Sequence, residues 1–264
     1  MSTIRLRHWP AAKSPPKLPP LLLVPGAFNR ISLWQDRFAP AWAAAGIDTW
    51  AMDFRSDQAG PLKRHLLGLR DFREDLREAI KQLPRPPVVL GYSLGGRVTL
   101  ELAAEIPLAG MVLLNALPGR GVPQVMLGYA WREPVSLGML LGLALASPVR
   151  RLTRRLPAGI ASAQADGALR ARFVEGLRGE SLRALAESLL PARPTPAKVP
   201  ALVIGMSGDR LIPPAVAQAL AKNLNAELLL LEGLSHTPMM EPAGEQVVDG
   251  VTSWMKRLPM ASAR

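Results

Sequence analysis

The stretch VVLGYSLGGRVTLELA, residues 88–103, decides how the whole chain is read. An apolar, β-branched run stands on its left and a helix-like segment on its right, with Gly91-x-Ser93-x-Gly95 and then Gly96 between them. A serine that is to act as a nucleophile must be presented on a sharp strand-to-helix turn. Glycines two positions before and after it let neighbouring chain pass close without side-chain clash. The start of the following helix also favours a developing negative charge. With 22 Gly and 14 Ser in 264 residues, chance supplies this pattern in about one such chain in ten, so the surroundings must separate a nucleophile from a plain glycine-rich turn.

Those surroundings alternate short apolar runs with amphipathic stretches. LPPLLLVPG (18–26), IDTWAMDF (47–54), PVVLGYS (87–93), AGMVLLNA (109–116), PALVIGMSG (200–208) and AELLLLEG (226–233) read as strands. ISLWQDRFAPAWAAAG (31–46), LGGRVTLELAAEI (94–106), PPAVAQALAKNL (213–224) and a last segment of about 242–256 read as helices. So does LRDFREDLREAIKQL (69–83), with Phe72, Leu76, Ile80 and Leu83 at helical spacing. Near-continuous apolar strands alternating with helices predict an α/β fold, a mostly parallel sheet covered on both faces. TIRLRHW (3–9) is expected to add an antiparallel edge strand. The long interruption after the fourth strand has helical character and no strong strand. Loops of that length are uncommon without a function, so a core of residues 1–117 and 199–264 is expected to carry a helical lid over 118–198. PARPTPAKVP (191–200) reads as its hinge-like return.

Composition narrows the class. An apolar fraction of 48% is ample for a core, and the absence of cysteine excludes disulfides, zinc–thiolate sites and thiol nucleophiles. The first 17 residues hold no apolar core of signal-peptide length. No apolar run reaches the roughly 18 residues of a membrane span. PVSLGMLLGLALASPV (134–149) comes nearest, but Gly and Pro break it, and it reads as a buried or interfacial helix. A soluble, cytoplasmic protein is expected. The net charge of +11 is uneven: between Pro118 and Pro200 twelve basic residues face five acidic ones, leaving +7 there. No helix-turn-helix, zinc-finger or RNP-type signature accompanies it and aromatics are only 5%, so no nucleic-acid partner is expected. A solvated arginine-rich face is the plain reading; attraction to an anionic substrate, or a weak membrane-surface contact through the basic lid, is the alternative.

Strands that all point one way bring the loops at their carboxyl ends together on one side of the sheet. Asp209 directly follows the fifth core strand; a carboxylate there can hold an imidazole in the right tautomer, or simply cap the helix starting near Pro213. His236 lies just past the sixth strand, where a general base is needed, whereas His8 and His65 have no obvious partner. With three histidines and no cysteine, neither a metal site nor a cofactor is expected. An oxyanion hole needs two backbone donors. One would be the N–H of Leu94; the second is expected from VPGAFNR (24–30), at Ala27, with Phe28 the neighbouring alternative. Ser93, Asp209 and His236 occur in that order, each at the end of a predicted strand, and so Ser93 is expected to be the nucleophile.

Over nearly its whole length the chain resembles the α/β-hydrolase superfamily, on LLLVPGAF (21–28), VVLGYSLGGRV (88–98), LVIGMSGDRLIPP (202–214) and GLSHTPMMEP (233–242). It is similar to the lid-bearing lipase, esterase and monoacylglycerol-lipase-like members. The resemblance implies the triad Ser93, Asp209 and His236, with Ala27 and Leu94 as oxyanion donors. Three positions depart from the usual pattern. The His-Gly of the oxyanion loop is Pro25-Gly26, the common His before the nucleophile is Tyr92, and the segment often written Arg-Gly-His-Gly is FRSDQAG (54–60). A serine nucleophile excludes the branches that attack with Asp.

The expected activity is hydrolysis of a small-molecule carboxylic ester with an apolar acyl group, through an acyl-enzyme. VPQVMLGYAW (122–131) and SLGMLLGLALA (136–146) suit an acyl chain, or form the lid's own core. A thioesterase or acyltransferase is the alternative, with Arg150, Arg151, Arg154 and Arg155 meeting acyl-CoA phosphates. A non-catalytic binding protein on the same fold, perched at a membrane through residues 134–155, is the other.

Overall fold

Seven strands form one sheet in the computed structural model, which describes residues 4–12, 16–145, 156–192 and 199–259. They are β1 (Leu6–Trp9), β2 (Leu21–Val24), β3 (Thr49–Met52), β4 (Val88–Tyr92), β5 (Gly110–Leu114), β6 (Ala201–Met206) and β7 (Glu227–Leu231). Their order in space is β1-β3-β2-β4-β5-β6-β7, and every pair is parallel except β1 with β3. The mostly parallel sheet and its antiparallel edge strand are those the sequence predicts. Before β4 the helices are α1 (Ser32–Gln35), α2 (Phe38–Ala44), α3 (Pro61–Leu66) and α4 (Leu69–Lys81); α5 (Leu94–Leu102) follows it. After β5 come α6 (Val122–Arg132), α7 (Pro134–Leu145), α8 (Gly167–Gly176) and α9 (Leu182–Ser188), then α10 (Pro214–Leu224) and α11 (Glu245–Arg257).

Every residue of β2, β4 and β5 is buried. Such strands are stable only where both faces are covered, and the two-residue alternation assigns each side chain to a layer. Leu21, Leu23, Leu90, Val112 and Ile204 pack with Trp34, Phe38, Trp42 and Trp254 of α1, α2 and α11. Leu22, Val24 and Val89 point the other way, onto Phe72 and Leu76 of α4 and Val98 of α5. Each such side chain taken out of water contributes about 1.5–3 kcal/mol.

Three local details depart from the sequence reading. The single helix expected over 31–46 is two, because Arg37 leaves helical geometry at φ −143° and ψ −62°. Pro40 explains the break: restarting at Phe38 puts its missing N–H in a first turn, where none is needed. His8, which has no obvious partner in the sequence, lies with Nε2 2.7 Å from Asp48 Oδ1 and stacks on Trp50 at 3.9 Å between ring centres. His65 accepts a hydrogen bond from the Leu182 N–H at 3.4 Å.

The stretch between β5 and β6 carries α6 to α9 and no strand among the described residues. Arg150, Arg151, Arg154 and Arg155, and most of the proline-rich return, lie outside the described residues. No helix of the described residues is long and apolar enough to cross a membrane. Both ends of this stretch are fastened to α5. Arg97 is 1% exposed; it donates from Nη1 to the Pro118 carbonyl (3.0 Å) and the Ser188 carbonyl (3.3 Å), and from Nη2 to the Leu190 carbonyl (2.7 Å). Its Nε reaches Glu101 of the same helix at 2.5 Å. Ala192 N–H also donates to the Gly119 carbonyl, closing the base.

Removing a buried charge partner strands the groups it satisfied, so Arg97→Ala is expected to cost about 3–5 kcal/mol in urea unfolding. A cost below about 1 kcal/mol would show that the fastening contributes nothing.

Candidate active site

The order of the strands places the site. From β2 the chain crosses outward to β3 and then back to β4, so the connections leaving neighbouring β2 and β4 diverge and open a crevice at their carboxyl ends. The loop with Ala27 leaves one end and Ser93 the other. Ser93 adopts φ 52° and ψ −116°, a conformation costly for any L-residue with a side chain. It sits between β4 and α5 as the glycine pattern predicts. A Cβ on Gly91 would lie 2.6 Å from Gly96 Cα, and one on Gly95 would lie 2.4 Å from the Pro25 carbonyl oxygen. The turn therefore closes only with glycine at both positions.

Ser93 Oγ lies 3.1 Å from His236 Nε2, and His236 Nδ1 lies 2.6 Å from Asp209 Oδ2. All three are buried. A carboxylate can only accept, so Nδ1 donates to Asp209 and Nε2 is left facing the serine hydroxyl. Of the two functions weighed for Asp209, holding the imidazole occurs and capping the helix does not: Oδ1 accepts the N–H groups of Leu211 (2.9 Å) and Ile212 (2.8 Å), both ahead of α10, whose start at Pro213 has no side-chain cap. The Asp209 carboxylate is thereby fixed from two sides.

His236 follows β7, three strands away from β4, and its loop must reach back across the sheet. Three contacts carry it. Asn115, just past β5, donates to the His236 carbonyl at 2.8 Å. Tyr92 pairs its hydroxyl with Thr237 Oγ1 at 2.9 Å, and its ring lies 5.2 Å from the imidazole. Burial pushes the Tyr92 phenol upward, so it stays protonated. His236 and Thr237 also donate backbone N–H groups to the carbonyls of Gly159 and Ile160. The departure at Tyr92 thus supports the histidine loop from beneath.

The loop after β2 is held by three carboxylates. Asp53 accepts the Ile31 N–H at 2.7 Å, Asp57 takes Arg30 Nε at 2.8 Å, and Glu180 accepts the Phe28 N–H at 3.2 Å. Burial pushes the Asp57 carboxyl up to about 6 even with Arg30 beside it. Asp57 belongs to FRSDQAG (54–60), the third departure, which here anchors the loop. The Phe28 N–H is committed to Glu180, while the Ala27 and Leu94 N–H groups beside Ser93 have no acceptor among the described residues.

Above Ser93 opens a cavity of about 480 Å³, within the usual range for a small-molecule site. Met126, Leu140, Phe173, Leu185 and Leu189 line it from α6 to α9, and Ala27, Ser93, Leu94 and His236 form part of its wall. Apart from Tyr92 and His236, none of its lining residues among those described is ionisable. Among the described residues no group of three or more His, Cys, Asp or Glu could hold a metal ion.

A parallel sheet covered on both faces, with serine, histidine and aspartate joined at the carboxyl ends of its strands, defines the hydrolase class of α/β proteins. The profile of the alpha/beta hydrolase family matches residues 21–249, and the chain belongs to that family. A monoacylglycerol lipase of Mycolicibacterium smegmatis is 31% identical over 237 residues, which cover 82% of this chain and 81% of the relative. Among solved structures, MenH from S. aureus superposes with a TM-score of 0.72 at 16% identity, covering 97% of this chain and 98% of that one. A monoacylglycerol lipase from Paleococcus ferrophilus gives 0.67 at 16% identity, with 97% and 98% covered. At such identities the superpositions speak for the fold. With the family and the lipase relative together, the protein is a hydrolase of the carboxylesterase and lipase type.

The turn at Ser93 can be tested through its packing. Gly95→Ala forces a Cβ against backbone oxygens that cannot swing aside, so a loss of about 2–3 kcal/mol is expected in urea unfolding. Gly138→Ala, in α7 with open space at its Cβ, is expected to stabilise by up to about 1 kcal/mol. Equal effects at the two positions would contradict the close approach.

Proposed function

We propose that the protein is a serine esterase acting on esters of apolar acyl groups, with Ser93 as nucleophile, His236 as general base and Asp209 as its orienting carboxylate. The observation that carries this reading is the hydrogen-bonded chain Ser93–His236–Asp209 at the wall of an apolar cavity. His236 takes the Ser93 proton as Oγ attacks the ester carbonyl carbon. The tetrahedral oxygen, carrying the carbonyl's electron pair, leans on the N–H groups of Ala27 and Leu94. Collapse expels the alkoxide, which takes the proton from His236. Water then enters by the same route, giving the free acid and restoring Ser93.

Residues 118–198 act as the lid in this scheme, their α6 to α9 supplying the apolar walls. The lipase relative points the same way, toward a fatty acyl ester with a small polar leaving alcohol. A coenzyme A thioester has no specific support: among the described residues no arginine or lysine lines the cavity, and Arg150, Arg151, Arg154 and Arg155 lie outside them.

The test is hydrolysis of p-nitrophenyl esters from acetate to palmitate, with a monoacylglycerol alongside. The rate is expected to peak beyond butyrate. Ser93→Ala should lower kcat by about 10⁶-fold and Asp209→Asn by about 10⁴-fold, with the fold unchanged by circular dichroism. Fluorophosphonate labelling should vanish in Ser93→Ala. Activity that survives Ser93→Ala would remove the nucleophile assignment, and an optimum at acetate would remove the apolar-substrate one.

A further inference from the structure

The loop that carries Ala27 is gripped from the helical segment between β5 and β6. Phe28 has φ 67°, in the left-handed region that a bulky residue occupies only when its surroundings hold it there. Both of its backbone groups bind one short stretch, 178–180. The Phe28 N–H donates to Glu180 Oε2 at 3.2 Å, and the Phe28 carbonyl accepts from the Arg178 N–H at 3.0 Å. The second carboxylate oxygen, Glu180 Oε1, accepts the Ser181 N–H at 2.7 Å. Ser181 in turn caps α9 and donates from Oγ to the Leu67 carbonyl, so the grip is itself tied to the core. Glu180 is 6% exposed, and the relay from Ser93 to Asp209 does not use it.

Two peptide planes meet at the Ala27 Cα, and fixing both leaves the Ala27 N–H no freedom to turn. The Ala27 carbonyl and the Phe28 N–H share one rigid plane, held at its two ends by Asn29 Nδ2 (2.7 Å) and by Glu180. The preceding plane is set by its own carbonyl, since Gly26 accepts the Asn29 N–H at 3.2 Å. In a trans peptide the Ala27 N–H points opposite to that carbonyl. The two oxygens of one carboxyl group accept separately from the Phe28 and Ser181 amides.

We propose that Glu180 is the positioning residue of the oxyanion hole: by holding the Phe28 amide it sets the Ala27 N–H toward the tetrahedral oxygen, so the hole is complete only while 178–181 is docked on the loop. The inference rests on the serine-esterase reading of the site. It makes hydrolysis depend on the seating of the segment that lines the acyl cavity, and so couples substrate fit to catalytic competence.

The groups facing the Glu180 carboxyl are the Phe28 and Ser181 amides, Asp57 from the turn after β3, and Arg64 from α3. Burial pushes it up to about 7 against the pull of those amides. A raised carboxyl favours the protonated fold. Stability from this group is full below its ordinary value near 4.5 and is lost as pH rises through about 7. The Tm of Glu180→Gln relative to the parent should therefore rise between pH 5 and pH 8.

The deciding experiment uses Glu180→Ala and Glu180→Gln in the full chain. It reads amide hydrogen exchange over residues 25–31, kcat and KM on p-nitrophenyl butyrate, and affinity for an aryl boronate that mimics the tetrahedral adduct. In Glu180→Ala, exchange should quicken, kcat should fall about 10- to 100-fold with KM within threefold, and boronate affinity should fall with kcat. Glu180→Gln keeps one accepting oxygen, so it should recover part of the loss; it also decides the matter if Glu180→Ala fails to fold. Unchanged exchange, or a loss in KM with kcat intact, would overturn the inference alone. A parent that hydrolyses no ester would overturn the esterase reading, and the positioning role with it.

Discussion

The backbone of Ser93 is the constraint on which the rest depends. Holding an L-residue at φ 52° and ψ −116° costs of order 1–3 kcal/mol, and the turn survives because everything around it is already fixed. Its strand is buried in the middle of the sheet, with β2 and β5 on either side. Its helix is pressed on β2 so closely that Gly95 meets the Pro25 carbonyl. The same strain recurs at Phe28 after β2 and Asn115 after β5, the loops next to Ser93. Three adjacent strands thus end in left-handed backbone, and the apolar layers on both faces of the sheet hold all three.

The electrostatics of the site follow from that rigidity. Hydrogen bonds in a dry, apolar pocket are stronger than the same bonds in water, provided every donor and acceptor is already aimed. Buried carboxylates do much of the aiming. Asp209 divides its oxygens between His236 and two backbone amides. Glu241, 1% exposed, bonds Ser235 just before the histidine and also the Ser162 N–H of the helical segment. Glu180 ties the same segment to the loop after β2. The helical segment is therefore bonded to the His236 loop and to the loop after β2, as well as at its base.

What the sequence made legible was local and periodic. Apolar runs of strand length marked all six parallel strands, and the order of Ser93, Asp209 and His236 at their ends anticipated which side chains the structure brings together. What stayed hidden was long-range pairing between polar residues. Glu180 stands 152 positions from Phe28, and Arg97 meets carbonyls 21, 91 and 93 positions away. No periodicity announces such partners, because a buried glutamate or arginine reads in sequence like any surface charge. The +7 of the helical segment, read as a solvated face, likewise concealed that Glu180 within it is buried. The break at Arg37 was missed for a different reason: Pro40 is equally compatible with a kink and with a fresh helix start.

Arg97 holds the helical segment by main-chain carbonyls alone, those of Pro118, Ser188 and Leu190. Every amino acid presents the same carbonyl, so this attachment does not read the identity of the residues it grips. The walls of the cavity can change residue by residue while their mounting on α5 stays put. The grips at Glu180 and Glu241, by contrast, depend on which side chain stands there, so the same segment is mounted indifferently at its base and selectively at its tip.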